Sequence, residues 1–169
     1  MKRINLTRHF PYHNADVYDL IMDINAYPQI YPMVKQVRVL NHLPTHKDIE
    51  LELNIAGPFI PGGKYQTSRV TGISPRTIQV VGLKGPLKVL NLHWTLTTPA
   101  TGGTHLEFLM EYESGRGMLA DLAISGVISQ LVTDTLCQFE RHAAVTLSPV
   151  SGHPAAPGQS SGRGGKPKP

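Results

Sequence analysis

Residues 116–147, RGMLADLAISGVISQLVTDTLCQFERHAAVTL, decide the fold. Ile124, Ile128, Leu131, Val132, Thr135, Phe139 and Ala143 recur at helical spacing and form one broad apolar stripe. Gln130, Thr133, Asp134, Glu140 and Arg141 fall on the other side. Gly115 and Gly117 break the preceding strand, and Pro149 forbids continuation. The spacing predicts one long helix laid across a sheet. Two readings of the stripe stay open. It is simple core packing, the plainer choice on these residues alone, or part of it roofs an apolar pocket. Periodicity does not separate them.

Upstream, the chain alternates like a sheet. Ile4, Leu6, Arg8 and Phe10 oppose Asn5, Thr7 and His9 in a first strand over residues 2–10. Arg8 on the apolar side reads as an edge residue that snorkels, or as a charge in a cavity mouth. Asn14 is the expected N-cap of a helix over 15–24, with Val17, Leu20, Ile21 and Ile24 buried. A second, very short helix carries Tyr27 and Tyr31 one turn apart between prolines. Strands are expected over 34–40, 48–55, 64–71, 77–83, 90–98 and 104–113, separated by turn residues. In 48–55, Ile49, Leu51 and Leu53 should face the core and Glu50 and Glu52 water. The turn 57–63 is unusually apolar, and Phe59 and Ile60 are read as closing over the core or as a lid. About seven strands, two short helices and one long terminal helix make an α+β domain spanning 1–147. Residues 148–169 form a Pro/Gly/Ser-rich tail expected to be disordered.

The chain has 169 residues and a formal charge of +4. Arg163, Lys166 and Lys168 of the tail supply three of those charges, and removing them leaves +1 on the domain. That balance gives little support for a nucleic-acid face, and no DNA partner is expected. Cys137 is the only cysteine, which excludes a disulfide framework or thiolate metal cluster. The basic start lacks a continuous apolar segment, so neither a signal peptide nor an anchor is read there. No other window is judged apolar enough to span a bilayer.

No catalytic signature emerges. A phosphate loop is missing, since the glycines at 57, 62 and 63 lack the lysine and serine spacing. His42 and His46 lie four apart around a proline with no third ligand in view, so no metal is assigned. Glu107 and Glu111 share a strand face without converging. What remains is apolar surface. Tyr65, Trp94, Phe108, Met110 and Tyr112 lie on strands that either fill a core or line an interior space. Such a space would also take Ile124, Ile128, Leu131 and Phe139 from the helix, with Arg8, Tyr27, Tyr31 and Tyr65 as orienting groups.

Three local segments carry a resemblance. They are VYDLIMDINAYP at 17–28 ending in Tyr31-Pro32, GPLKVL at 85–90 with Trp94 after it, and QFERHA at 138–143. Over residues 3–146 the chain resembles the helix-grip fold of the StAR-related lipid-transfer superfamily. Within it, the chain is most similar to the coenzyme Q-binding and ribosome-association toxin branch, also labelled polyketide cyclase-like. The resemblance implies a curved antiparallel sheet around the terminal helix, and a tunnel between them for a hydrophobic small molecule. It ties Pro28, Tyr31, Pro32, Leu90 and Trp94 to the fold or tunnel. The family commonly has an aromatic residue at position 87 and a tryptophan at 33, where this chain has Leu87 and Met33. The implied function is non-catalytic binding of ubiquinone or a related isoprenoid quinone in support of respiration or quinone biosynthesis. No tightly bound cofactor is expected. The alternatives are a ribosome-associating toxin-like protein, which is not favoured, and a polyketide aromatase/cyclase. The implied location is the bacterial cytoplasm, with transient contact at the inner membrane surface.

Overall fold

A computed structural model describes residues 1–54 and 64–151. The chain runs β1 (Lys2–Phe10), α1 (Asn14–Met22), a single 3-10 turn (Ile24–Ala26) and α2 (Tyr27–Ile30). Then follow β2 (Val34–His42), β3 (Lys47–Leu53), β4 (Tyr65–Ile73), β5 (Thr77–Lys84), β6 (Val89–Thr97), β7 (Thr104–Glu113) and α3 (Met118–Thr146). The seven strands form one sheet in the order β1-β7-β6-β5-β4-β3-β2, each pair antiparallel. β2 to β7 make a meander of hairpins, and β7 comes back to pair with β1. The short helices span the gap between β1 and β2, the two sheet edges. This is the α+β helix-grip architecture that the sequence predicts.

The long helix forms because its inner face is apolar at the right spacing. Ile124, Ile128, Val132, Leu136, Phe139 and Ala143 are all buried against the sheet. Leu136, on the same face, belongs to that stripe as well. The helix opens at Gly117, whose φ of +94° suits a residue without Cβ. Asp121 in the first turn is buried, and its Oδ1 accepts the Ser114 N–H at 2.7 Å. Those hydrogen bonds from Ser114 hold its carboxyl below the usual range. By length and composition α3 is also long and apolar enough to cross a membrane, contrary to the sequence-based expectation. Its inner face nevertheless packs as the core helix of this domain.

Three further expectations change. Asn14 does not cap α1, where His13 stands at the N-cap position without a side-chain bond. Instead the fully buried Thr104 hydroxyl lies within reach of Asn14 Oδ1 at 2.7 Å and the Tyr12 carbonyl at 2.8 Å. This ties the start of α1 to β7. Glu52, expected in water, is 9% exposed because Lys35 and Lys64 cover it at 3.2 and 3.1 Å. The packed chain also runs past 147: Val150 is buried and its N–H donates to the Pro11 carbonyl at 2.8 Å. Residues 152–169 of the expected tail, and Phe59 and Ile60 of the expected lid, lie outside the described residues.

Candidate functional site

Between the concave face of the sheet and the middle of α3 lies a cavity of about 210 Å³. Its position follows from side-chain size. Toward β1, large residues close the gap. Phe139 meets Phe10 edge-on at 5.7 Å between centroids, and both are buried. One to three turns earlier, α3 presents Ile128, Leu131, Val132, Thr135 and Leu136, which stop short of the strands beneath. The strands supply Ile49, Leu51 and Leu53 from β3, Val80 from β5, Leu90, Leu92 and Trp94 from β6, and Phe108 and Met110 from β7. Period-two alternation places each set on one face. Trp94 and Phe108 are direct partners in the β6–β7 register, and their rings meet edge-on at 4.6 Å.

The early helices close one side. Tyr27 and Tyr31 meet edge-on at 5.1 Å, and both line the cavity. The Tyr27 hydroxyl donates to the Ile21 carbonyl at 2.6 Å, fixing α2 to α1. Burial pushes both phenols well above the usual tyrosine range, reinforced by Asp23 at Tyr27 and by Tyr27 at Tyr31. Both therefore stay neutral hydroxyls that hold their protons. Met33 and Val34 at the start of β2, and Pro86 and Leu87 after β5, complete the rim. The Thr135 hydroxyl donates to the Leu131 carbonyl at 2.8 Å, and Met33 Sδ lies 3.7 Å from the hydroxyl oxygen. Met33 and Leu87, which stand where the resemblance implies a tryptophan and an aromatic residue, both border the cavity.

Of the residues that the sequence picks out, Tyr27, Tyr31, Leu90, Trp94, Phe108, Met110, Ile128 and Leu131 converge on the cavity. Five do not. Arg8 pairs with Glu140 at 3.2 Å across β1 and α3, on the packed side of the molecule. Tyr65 is 45% exposed, because β4 turns its even-numbered residues inward. Tyr112, Ile124 and Phe139 are buried core residues beyond the void. Phe59 is not among the described residues.

Two residues that sequence reasoning missed stand out. Gln66 and Ser68 are polar, 5% and 2% exposed, and line the cavity. Among the described residues that line it there is no Asp, Glu, His, Lys or Arg. Nor do three or more His, Cys, Asp or Glu side chains gather anywhere among the described residues. The wall can therefore bury an apolar body and make a few neutral hydrogen bonds. It offers no charged acid or base.

Comparison with known proteins agrees with this architecture. A family model described as polyketide cyclase/dehydrase and lipid transport matches residues 10–140. The ribosome association toxin RatA of Escherichia coli K12 is 27% identical over 139 residues, which is 82% of this chain and 85% of that protein. Among solved structures, the Zhui aromatase/cyclase from Streptomyces sp. R1128 superposes with a TM-score of 0.71 at 17% identity, covering 84% of this chain and 93% of that one. The STAR-related lipid transfer protein from Xanthomonas axonopodis gives a TM-score of 0.63 at 20% identity, covering 83% and 84%.

Proposed function

The chain belongs to the polyketide cyclase/dehydrase and lipid transport family, and from that premise we propose that it binds ubiquinone or a related isoprenoid quinone without catalysis. The observation that carries this reading is the nearly all-apolar cavity between sheet and helix. A dry cavity of about 150 Å³ suffices for benzene, so about 210 Å³ accommodates a substituted ring and the beginning of a chain. It falls short of the roughly 300–1,000 Å³ of pockets that enclose drug-sized ligands. The remainder of a prenyl chain would leave through the rim. Burial would supply about 25 cal/mol for each Å² of apolar surface removed from water.

A cyclase role needs a positioned acid or base. The described cavity wall presents only neutral hydroxyls and an amide, which favours carriage over chemistry. Contact with a membrane surface, at the cytoplasmic face, is part of the same proposal. Met118, Leu119 and Leu122 at the start of α3 are 82%, 85% and 61% exposed, an apolar patch beside Arg116.

Ribosome association is the second reading, and the name of the E. coli relative favours it. Against it, cations on the outer sheet face are largely matched by carboxylates. Arg3 pairs with Glu111 at 2.7 Å, Arg69 with Asp48 at 2.8 Å, and Arg38 with Glu50. Native mass spectrometry of the chain purified without detergent tests the proposal. It should show a co-purified isoprenoid quinone or uptake of one added from solution. Purified protein with neither, yet co-sedimenting with ribosomal subunits in moderate salt, would reverse the order of the two readings.

A further inference from the structure

Resting on that reading, we propose that Gln66 and Ser68 form a polar clasp selecting ligands whose ring carries a hydroxyl, a phenol or quinol, over those with only carbonyl or ether oxygens. Both residues sit on the inward face of β4, while Tyr65 and Arg69 point outward. A buried amide is costly unless its polar atoms are met. Gln66 meets this condition only at its nitrogen end. Nε2 donates to the Thr67 carbonyl at 3.0 Å and to Ser68 Oγ at 3.3 Å, which uses both of its N–H bonds. The Thr67 carbonyl can only accept, so it fixes which end of the amide faces it.

Oε1 of Gln66 is therefore the end left over, and it accepts no hydrogen bond among the described residues. The Ser68 hydroxyl accepts from Nε2, and its own O–H donates to none among them. Gln66 and Ser68 both line the cavity from neighbouring inward positions, so the wall there holds one acceptor and one donor without a partner among the described residues. A carbonyl or ether oxygen can engage the donor only, leaving Oε1 unmet. A hydroxyl can donate to Oε1 and accept from Ser68.

The neighbouring strand is cut to fit this amide. A Cβ at Gly85 would collide with Gln66 Oε1. One at Gly82 would come to 3.2 Å from Nε2 and 2.9 Å from the Leu90 Cβ. Two glycines on one stretch of β5 and its following turn leave the room that a buried glutamine needs. An isoprenoid quinone exists in a carbonyl form and a dihydroxy form. The clasp would hold the reduced, dihydroxy form more tightly.

Isothermal titration calorimetry of the full chain with 4-propylphenol and 4-propylanisole tests this, since the two share ring and tail and only the first has an O–H. The phenol should bind at least tenfold tighter. Gln66→Leu should bring the two affinities within twofold of each other. Gln66→Met, unbranched and closer in shape, serves the same purpose if the leucine variant does not fold. Equal binding of both probes to the unaltered chain overturns the clasp and leaves the cavity reading standing. A phenol preference that survives in the Gln66 variants also overturns it. Binding of neither probe overturns both.

Discussion

Trp94 and Phe108 face each other across β6 and β7, their rings edge-on at 4.6 Å and 61° between planes. Both border the void under α3. Phe10 and Phe139 form a second edge-on pair at 78°, but that one fills the space between β1 and the end of α3. The two aromatic pairs divide the molecule into an open half and a closed half. Mutations in the two halves should behave differently.

Phe139 is fully buried, so Phe139→Ala should cost about 3–5 kcal/mol, the range for large aromatic truncations in a core. Leu92 borders the void and is only partly buried. Leu92→Ala should cost roughly 2 kcal/mol, at the low end for such changes. Urea unfolding of both variants measures the difference, and equal costs would mean that the void is not there.

Val80 lies on the cavity wall, and Val80→Phe should fill part of the space. In a well-packed core such enlargement costs about 1–3 kcal/mol. Here the expected change is under about 1 kcal/mol, with ligand uptake reduced at least tenfold. Thermal melting and calorimetry on the same sample check both halves of the prediction.

Gly85→Ala should fold, because its Cβ meets the far end of a flexible side chain and not backbone. It would displace the Gln66 amide, and the phenol-over-anisole preference should fall as it does in Gln66→Leu. Calorimetry with the same two probes reads the outcome.

Glu52 links stability to pH. Hydrogen bonds from Lys64 and then Lys35 hold its carboxyl below the usual range in the folded state. A carboxylate with a depressed folded pKa stabilises the fold above its unfolded pKa. That contribution is lost as pH falls through the folded value. Asp48, held down by Arg69, acts in the same direction. Melting temperature should therefore drop from about pH 5 downward. Glu52→Gln should start lower at neutral pH and fall less steeply.

Much of this architecture was legible in the chain. The order of elements follows from alternation in the strands, glycine and proline at the turns, and the stripe Ile124, Ile128, Val132, Phe139 on the last helix. The strand 104–113 is placed to the residue. The site was legible only in part, because periodicity reports which face a residue occupies and not where along that face a gap lies. Ile124, Tyr112 and Phe139 are on the inner face, but beyond the void. Tyr65 failed for another reason. In Tyr65-Gln66-Thr67-Ser68-Arg69-Val70 the inward positions carry two polar residues, so hydropathy points to the wrong parity. Those same two residues line the cavity. A signal for Gln66 lies in Gly82 on the neighbouring strand and Gly85 in the turn after it, and it acquires meaning only once the β4–β5 register is known.

Binding of a quinone ring beside Trp94 is the central claim, and Trp94 is the only tryptophan in the chain. Fluorescence titration with a short-chain ubiquinone reads it directly, since a quinone in van der Waals contact quenches an indole. Saturable one-to-one quenching, weakened at least tenfold in Val80→Phe, is the predicted result. Quenching that rises linearly, no stronger than that of free N-acetyltryptophanamide and unchanged in Val80→Phe, would contradict it.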